Sequence, residues 1–422
     1  MPSDFGSTAL VARVRELLRA GSMDAADSLT GAALAVEPRD AEAWYARGII
    51  ANRRNDHAGA IAALREAIAI QPDASLAWLA LGTAFARSVQ LEEAAQAYRS
   101  VLAREPDWTD AHFNLGVVLK RQGQRLAAAH ELHAAWSRDP MFFDAAIQCV
   151  AEIADCVRHH EALTPPAAAD DVPLRPTFTI VVCSIDTSRQ ARAVALYRRL
   201  FSGYRSEIVA IRHPRSLAEA YNRAAARSMA DIVLMSHDDV DVLAPDFARR
   251  LSRMLAEHDA VGVVGSTRMQ GPAIGWSGHP HLRGWITHRA PGDSTWRVDV
   301  LDPRPVADGI AILDGVLLAC RRKVLIAVPF DAVSFDGFHL YDLDWSYRVS
   351  RAGFRIAVTG ELLLVHASRG RYGPAWQHHA ERFCAKHDTG RAEPAPSSFF
   401  GATLDNPAQV RAFFAMLAQM HG

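Results

Sequence analysis

The first third of the chain repeats itself with a period of 34 residues. Prolines, glycines and alanines recur at this spacing, and two tryptophans fall in phase with a histidine. The residues in phase are Pro38, Pro72, Pro106 and Pro140, Gly48, Gly82 and Gly116, Ala26, Ala60, Ala94 and Ala128, and Trp44, Trp78 and His112. This period predicts stacked pairs of helices, in which small residues let two helices approach and proline ends the second helix.

The pattern resembles tetratricopeptide repeats. We predict an α-solenoid over residues 1–162, with four repeats and a capping helix that covers the last apolar face. The repeats are predicted over 7–40, 41–74, 75–108 and 109–142, and the capping helix over 143–161. The first repeat departs from the pattern, since Val14 stands where a glycine is expected. The resemblance implies a groove for a peptide or partner protein. The alternative is a spacer or dimerisation platform without a peptide ligand.

The composition of the chain argues against several classes of function. The chain has 46 Lys and Arg against 47 Asp and Glu, so it offers no basic surface for nucleic acid or a membrane. Its five cysteines show no metal-binding spacing, which indicates reduced thiols. The N-terminus lacks the features of a signal peptide, and no apolar run reaches membrane-spanning length. We therefore expect a cytoplasmic protein with no nucleic-acid partner and no transmembrane segment.

The remainder of the chain predicts a second domain of another class. Residues 163–176 are rich in proline and alanine and predict a linker. Over 177–390, β-branched runs alternate with helical patterns, which predicts an α/β domain with a mostly parallel sheet. Residues 391–422 are predicted to be a tail with an amphipathic helix over 406–422. This helix would dock on the α/β domain or on a second subunit of a homo-oligomer.

An acidic stretch closes the third predicted strand of this domain. It reads His237-Asp238-Asp239-Val240-Asp241 and has no lysine or arginine beside it. Ligands of such sheets bind at the carboxyl ends of the strands. Carboxylates suit Mg²⁺ or Mn²⁺, and such an ion can hold a nucleotide diphosphate. The alternative is a solvated acidic turn that caps the helix after it.

Four motifs in order carry a second resemblance, over residues 178–388. The acidic stretch is followed by Asp314-Gly315, by Tyr341-Asp342-Leu343-Asp344-Trp345-Ser346-Tyr347-Arg348 with Ala352-Gly353-Phe354, and by His366 after a final strand. This order resembles family 2 glycosyltransferases, whose GT-A fold is a Rossmann-like α/β architecture. The resemblance implies inverting transfer of a sugar from a nucleotide sugar, foremost a UDP-sugar, to a protein or glycan acceptor.

The resemblance also implies residue roles. Asp342 would be the general base that deprotonates the acceptor hydroxyl. The expected ligands of Mn²⁺ or Mg²⁺ are Asp239, Asp241 and His366, with Asp239 favoured because relatives carry an H-x-D-V form. The expected nucleotide-sugar contacts are Ser184, Asn222, Asp238 and Asp239. The expected acceptor contacts are Asp314, Gly315, Trp276 and Asp344, although Asp344 has the alternative of fixing Arg348. Simple helix capping is the alternative for Asp342, and a bond to a loop carbonyl is the alternative for His366.

The sequence departs from the family pattern at two places. The second predicted strand does not end in the aspartate that often contacts the base of the nucleotide, and Tyr341 replaces the usual glutamate before Asp342. Residues 368–376 carry glycines and arginines and predict a lid over the donor. A competing hypothesis is an interaction protein whose repeats act while the transferase-like domain is inactive. A nucleotidyltransferase is disfavoured, since no glycine follows the first strand over 183–192.

Overall fold

The computed structural model describes residues 9–159, 176–368, 373–389 and 399–421. Contacts within the chain divide it into two compact units, Met1–Glu152 and Ile153–Gly422. The predicted linker lies outside the described residues except for Pro176. None of the helices described is long and apolar enough to cross a membrane.

The N-terminal part consists of helices that pack on their neighbours in sequence, which confirms the predicted α-solenoid. Contacts run mainly between consecutive helices and between helices two places apart. The helices are α1 (Ala9–Arg19), α2 (Met23–Val36), α3 (Ala41–Arg53), α4 (His57–Ile70), α5 (Ser75–Arg87), α6 (Leu91–Leu102), α7 (Thr109–Arg121), α8 (Arg125–Arg138) and α9 (Phe143–Arg158).

The in-phase glycines lie where the two helices of a repeat touch. A Cβ atom added to Gly48 would lie 2.5 Å from Leu64, and one added to Gly82 would lie 2.7 Å from Tyr98. Gly116 stands in the same relation to Leu132, at 2.8 Å. In each pair the large residue follows the glycine by 16 positions. Close approach of the paired helices therefore depends on glycine at this position.

The first repeat has different residues at these two positions of its paired helices. Val14 takes the place of the glycine, and the residue 16 positions later is Thr30 rather than a leucine or tyrosine. Both side chains are completely buried, and Thr30 Oγ1 donates a hydrogen bond to the carbonyl of Ala26. The larger residue on one helix is thus matched by a smaller one on the other.

The in-phase tryptophans and histidine make one recurring hydrogen bond. Trp44 Nε1 and Trp78 Nε1 each donate to the carbonyl of the proline six residues earlier, at 2.9 Å. His112 Nε2 makes the equivalent contact with Pro106 at 2.8 Å, and its Nδ1 lies 2.7 Å from Glu131. An imidazole nitrogen therefore replaces the indole nitrogen in the last of these repeats.

The second unit is an α/β domain, as the sequence predicts, and its described strands form two sheets. The first sheet has the order β2-β1-β3-β11-β5-β12-β9, and the second has the order β10-β6-β7-β13-β4, with β8 joining β7 to β14. The strands are β1 (Phe178–Ser184), β2 (Ser206–Arg212), β3 (Ile232–Ser236), β4 (Val240–Val242), β5 (Ala260–Gly262), β6 (Val264–Ser266), β7 (Leu282–His288), β8 (Trp296–Val300), β9 (Val306–Ala307), β10 (Ile312–Leu313), β11 (Leu317–Arg321), β12 (Ile356–Thr359), β13 (Leu364–His366) and β14 (Phe400–Leu404). The helices are α10 (Thr187–Leu200), α11 (Leu217–Arg227), α12 (Phe247–Glu257), α13 (Arg322–Ala327), α14 (Tyr341–Arg351), α15 (Pro374–His387) and α16 (Pro407–His421).

The first sheet is mixed, with parallel pairing at the strands that carry the site. β1 runs parallel to both β2 and β3, so their carboxyl ends meet at one edge. β11 runs antiparallel to β3 and β5. The apolar run over 260–266 forms two strands, since β5 belongs to the first sheet and β6 to the second. Likewise, the apolar residues on either side of Asp314-Gly315 form two strands, β10 and β11, separated by a turn.

The C-terminal segment, predicted to be a tail with an amphipathic helix, packs on the α/β domain. β14 pairs with β8 in antiparallel register from Phe400↔Val300 to Leu404↔Trp296. The ring of Phe414, on α16, stacks on Trp285 of β7 with centroids 5.5 Å apart. Residues 391–398 of the predicted tail lie outside the described residues.

We predict that the Val14–Thr30 solution can be transferred to the second repeat. Gly48→Val should destabilise the protein by about 1–3 kcal/mol through overpacking, and Leu64→Thr by about 2–4 kcal/mol through a cavity. The double variant should lose clearly less than the sum, because it recreates the pair of the first repeat. Urea unfolding of the four proteins measures this coupling.

The matched control is Gly31→Val on α2, where an added Cβ meets nothing within 4 Å. This control should be destabilised much less than Gly48→Val. Strict additivity of the Gly48 and Leu64 substitutions would contradict the proposed exchange of volume between the paired helices.

Candidate active site

Five segments of the α/β domain bring polar side chains to one edge of the sheets. Ser184 ends β1, and the acidic stretch follows β3 directly. β4 then pairs with β13 in the register Val240↔His366, which carries His366 back to the acidic stretch. The turn between β10 and β11 and the start of α14 complete the edge. The pairing of β1 with β3 and that of β4 with β13 therefore bring these residues together.

His237, Asp239 and His366 form a compact group. One ligand atom from each lies within 4.8 Å of the other two. His366 Nε2 is 3.3 Å from Asp239 Oδ1, and the rings of the two histidines are 5.6 Å apart. His366 Nε2 also lies 3.1 Å from the hydroxyl of Ser368. Two imidazoles and one carboxylate in this arrangement can hold a divalent cation.

The pKa shifts of Asp239 and His237 suit metal binding. Burial favours a raised pKa for Asp239, but hydrogen bonds from His366 and Ser368 and the nearby imidazoles hold that pKa below its ordinary value. Burial and the neighbouring His366 lower the pKa of His237. Ionised carboxylates and neutral imidazoles are the forms that bind metal. Asp239 and His237 therefore present their ligand atoms in the required state near neutral pH.

Two of the three acidic side chains at the end of β3 lie apart from this group. Asp241 was predicted to be a ligand, but it is exposed between the buried Val240 and Val242, and its Oδ1 accepts a hydrogen bond from the amide of Val242. Asp241 is not among the ligand atoms that the structure brings together. Alternation along β4 explains this, because burying the two valines turns the residue between them outward. Asp238 instead accepts a hydrogen bond from the hydroxyl of Ser184.

Asp342 lies in the first turn of α14 and faces the turn before β11. Its Oδ2 accepts a hydrogen bond of 2.7 Å from the amide of Gly315. Burial raises the pKa of Asp342 to about 7, with a further contribution from Asp314, against the lowering effect of backbone hydrogen bonds. The N-cap of α14 is Leu340, in the left-handed region with φ 64°. Asp342 therefore does not occupy the cap position, and it has the near-neutral pKa that suits a general base.

Tyr341 connects this carboxylate to the histidine group. Its side chain is buried, and its hydroxyl lies 3.3 Å from His237 Nε2 and 3.4 Å from the carbonyl of Gly315. A Cβ added to Gly315 would lie 2.6 Å from the Tyr341 hydroxyl and 2.7 Å from Asp342 Oδ2. Glycine at this position is therefore required for the close approach of α14.

Two predicted substrate contacts are engaged elsewhere. Asn222 was expected to contact the nucleotide sugar, but its amide binds both backbone groups of Phe330, at 2.8 and 2.9 Å. Asp344 was expected to contact the acceptor, but its side chain is completely buried and forms ion pairs with three cationic or titratable side chains. Both side chains join elements of the domain, because a buried polar group must be paired within the protein.

Trp276, expected near the acceptor, is half-buried and meets a second indole. Its ring lies edge-to-face against Trp376 of α15, with centroids 6.3 Å apart. Sequence reasoning did not identify Trp376 or assign a role to His237. The sequence could have indicated His237 as a third ligand, since it stands two residues before Asp239. Of the predicted lid, residues 369–372 lie outside the described residues.

The comparisons with known proteins agree with this architecture. Residues 179–393 match a family described as glycosyltransferase-like. The chain belongs to this glycosyltransferase-like family. Residues 11–75, 60–111 and 79–140 match the tetratricopeptide repeat. A glycosyltransferase-like domain implies a nucleotide-sugar donor and an acceptor, and tetratricopeptide repeats suggest protein interaction. No curated protein matches the sequence.

Several solved structures resemble the helical repeats of this glycosyltransferase-like protein. MamA from Desulfovibrio magneticus is 19% identical, with a TM-score of 0.33, over 38% of this chain and 89% of that one. YrrB, described as a TPR protein with an unusual peptide-binding site, is 18% identical, with a TM-score of 0.32, over 36% and 79%. PilF of Pseudomonas aeruginosa is 17% identical, with a TM-score of 0.33, over 36% and 68%. At these values the likeness concerns the repeat fold alone.

We predict that Asp342→Asn stabilises the protein increasingly as the pH rises from about 4 to about 7. The folded protein holds the Asp342 proton up to a pKa of about 7, whereas the unfolded chain releases it near 3.8. Raising the pH through this window therefore weakens the folded state of the parent but not of the variant. The gain should reach about 1–3 kcal/mol. Urea unfolding at pH 5 and pH 8 measures it.

Asp241→Asn, at an exposed carboxylate of the same edge, is the control and should show no such gain. An equal stability difference between Asp342→Asn and the parent at both pH values would refute the raised pKa.

Proposed function

We propose that this protein is a metal-dependent inverting glycosyltransferase that transfers a sugar from a nucleotide sugar to a protein or glycan acceptor. The observation that carries the proposal is the pairing, in a glycosyltransferase-like domain, of a near-neutral carboxylate with a histidine and aspartate group. Asp342 and His237 are joined through one residue, since Tyr341 precedes the first and contacts the second. A general base and a cation site are the two parts that such a transfer needs.

The residues that would hold the metal are His237, Asp239 and His366. We propose Mn²⁺ over Mg²⁺, because Mg²⁺ prefers oxygen ligands and two of these three ligands are imidazoles. When bound, the ion supplies positive charge that stabilises the leaving diphosphate. The contact between Tyr341 and His237 would orient the ring of this ligand, as partners of metal-bound histidines do.

Asp342 would act on the acceptor. Its ionised carboxylate takes the proton of the acceptor hydroxyl as the hydroxyl oxygen forms a bond to the anomeric carbon. The bond from that carbon to the diphosphate oxygen breaks, and its electron pair leaves with the diphosphate. A pKa of about 7 leaves a useful fraction of Asp342 ionised at neutral pH and still makes it a competent proton acceptor. The Gly315 amide would hold the carboxylate in place for this step.

The remaining edge residues would contact the donor and the acceptor. Ser184 and Asp238, joined by a hydrogen bond, stand at the carboxyl ends of β1 and β3, where the nucleoside of a UDP-sugar would bind. Asp314, Gly315 and Trp276 would border the acceptor. We propose that the tetratricopeptide repeats recruit the acceptor or a separate protein partner. The competing function is an interaction protein with an inactive transferase-like domain.

We predict that UDP binds only in the presence of a divalent cation. Calorimetry with UDP and Mn²⁺ should show binding to the parent and none in EDTA. Asp239→Ala and His237→Ala should each abolish the metal-dependent binding, since each removes one of three protein ligands. Asp241→Ala is the matched control and should bind normally. Equal affinity in EDTA, or loss of binding in Asp241→Ala alone, would overturn the assignment.

We predict that Asp342→Asn lowers kcat by about 10²–10⁴-fold, the range of general-base catalysis, with little change in UDP and Mn²⁺ affinity. A panel of nucleotide sugars, assayed for donor hydrolysis and transfer with Mn²⁺, identifies the donor for this measurement. Near-normal turnover of the variant would remove the base assignment. Absence of any turnover by the parent with every donor and acceptor tested, despite UDP binding, would favour the interaction protein.

A further inference from the structure

The buried carboxylate of Asp344 has no part in the proposed reaction. It stands two residues after Asp342 on α14, so the two side chains point in directions about 200° apart around the helix axis. Asp342 faces the turn at Gly315, and Asp344 faces α15. Asp344 has no exposed surface at all, which is costly for a charge unless it is fully paired.

Three side chains pair with Asp344. Arg348, one turn along α14, lies 2.9 Å from Oδ2 through its Nε. Lys386 Nζ and His387 Nε2, both on α15, lie 2.6 and 2.9 Å from Oδ1. Burial by itself would raise the pKa of Asp344, but hydrogen bonds from His387 and Lys386 and the charge of Arg348 hold it below the ordinary value. The carboxylate is therefore held as an anion.

Lys386 extends this contact to a second segment. Its ammonium also lies 2.7 Å from Asp331 Oδ2 and 5.3 Å from the centre of the Phe335 ring. Asp331 in turn accepts hydrogen bonds from the backbone amides of Val333 and Ser334. One lysine thus ties α15 both to α14 and to the segment that leads into α14.

The opposite side of α14 is held against the sheet. Gly315 donates to Asp342, and the amide of Leu313 donates to Ser346 Oγ at 2.9 Å. The helix is therefore fixed from two sides, by the turn after β10 and by α15. A rotation of about 10° would move an atom about 6 Å from the helix axis by about 1 Å. A displacement of 1 Å at a reacting group can cost about 10²-fold in rate.

We propose that Lys386 is a positioning residue for Asp342. By pairing with Asp344, Lys386 fixes the rotation of α14 and so holds Asp342 against the Gly315 amide. This inference rests on the proposed function in naming Asp342 as the base. The contact itself is independent of donor, metal and acceptor. Its effect on hydrogen exchange at Gly315 can therefore be tested without knowledge of the substrate.

The test compares Lys386→Met with the parent by hydrogen exchange and by kinetics. In Lys386→Met, exchange of the Gly315 amide should be about 10-fold faster, because its acceptor Asp342 is displaced. kcat should fall about 10-fold or more, while the affinity for UDP with Mn²⁺ stays unchanged. Lys386→Arg should restore most of both, since it keeps the charge.

The matched control is Lys323→Met. Lys323 also pairs with an aspartate, Asp259 at 2.8 Å, and also lies over an aromatic ring, that of Phe354 at 5.9 Å. Phe354 lies beyond the C-terminal end of α14, where its amide bonds to the carbonyl of Val349, so neither partner of Lys323 pairs with Asp344. Its loss should leave exchange at Gly315 and kcat unchanged.

A second variant guards against simple unfolding. Lys386→Met leaves Asp344 short of one cation, whereas the double variant Asp344→Asn/Lys386→Met removes both charges and should recover much of the lost stability. If the double variant is as stable as the parent, exchange at Gly315 should still be fast. Slow exchange at Gly315 in the double variant, or in a folded Lys386→Met, would overturn the positioning role. Fast exchange at Gly315 in Lys386→Met, together with a parent protein that has no transferase activity, would retain the positioning role and reject the proposed function.

Discussion

The hydrogen bond from the Gly315 amide to Asp342 Oδ2 is the contact on which the candidate active site depends. It can form only because residue 315 has no side chain, since a Cβ there would lie within 3 Å of both Tyr341 and Asp342. The same close approach buries Asp342 beside Asp314, which raises its pKa to about 7. It also sets the Tyr341 hydroxyl against His237. A single glycine thus links the base, the histidine group and the start of α14.

Three carboxylates of this domain, those of Asp239, Asp342 and Asp344, are partly or wholly buried beside different neighbours, and these neighbours give them different roles. Asp342 has a neighbouring carboxylate and backbone amides, so its pKa is raised. Asp239 lies beside two imidazoles, and Asp344 beside a lysine, an arginine and a histidine, so the pKa of each is lowered. A carboxylate with a near-neutral pKa suits proton transfer, whereas one held ionised suits a cation or an ion pair. Burial alone would have raised the pKa of all three.

The pattern of residues predicted the α/β class and several strands, but not how the strands are distributed between sheets. Glycines at 262 and 265 interrupt the apolar run over 260–266, and the structure divides this run between two sheets. Asp241 was chosen as a ligand on local charge, and the burial of Val240 and Val242 turned it outward. Asn222 and Asp344 were placed near substrate by their positions in sequence. Their side chains are instead paired with Phe330 and with α15, partners 42 to 108 residues away.

The repeats and the site differ in how far the sequence by itself determined them. In the solenoid, helices contact the next helix or the one after it, so the contacts join residues that are close in sequence. The period of 34 residues, the glycines and the exception at Val14 are therefore visible in the sequence itself. In the α/β domain His237 and His366 stand 129 residues apart, and only the pairing of β4 with β13 brings them together. Asp342, Asp239 and His366 were identifiable from motifs, but His237, Tyr341 and Lys386 acquire their neighbours through the fold. Side-chain contacts between distant segments depend on which strands pair and on which helices pack together, and the pattern within one segment does not specify its partner.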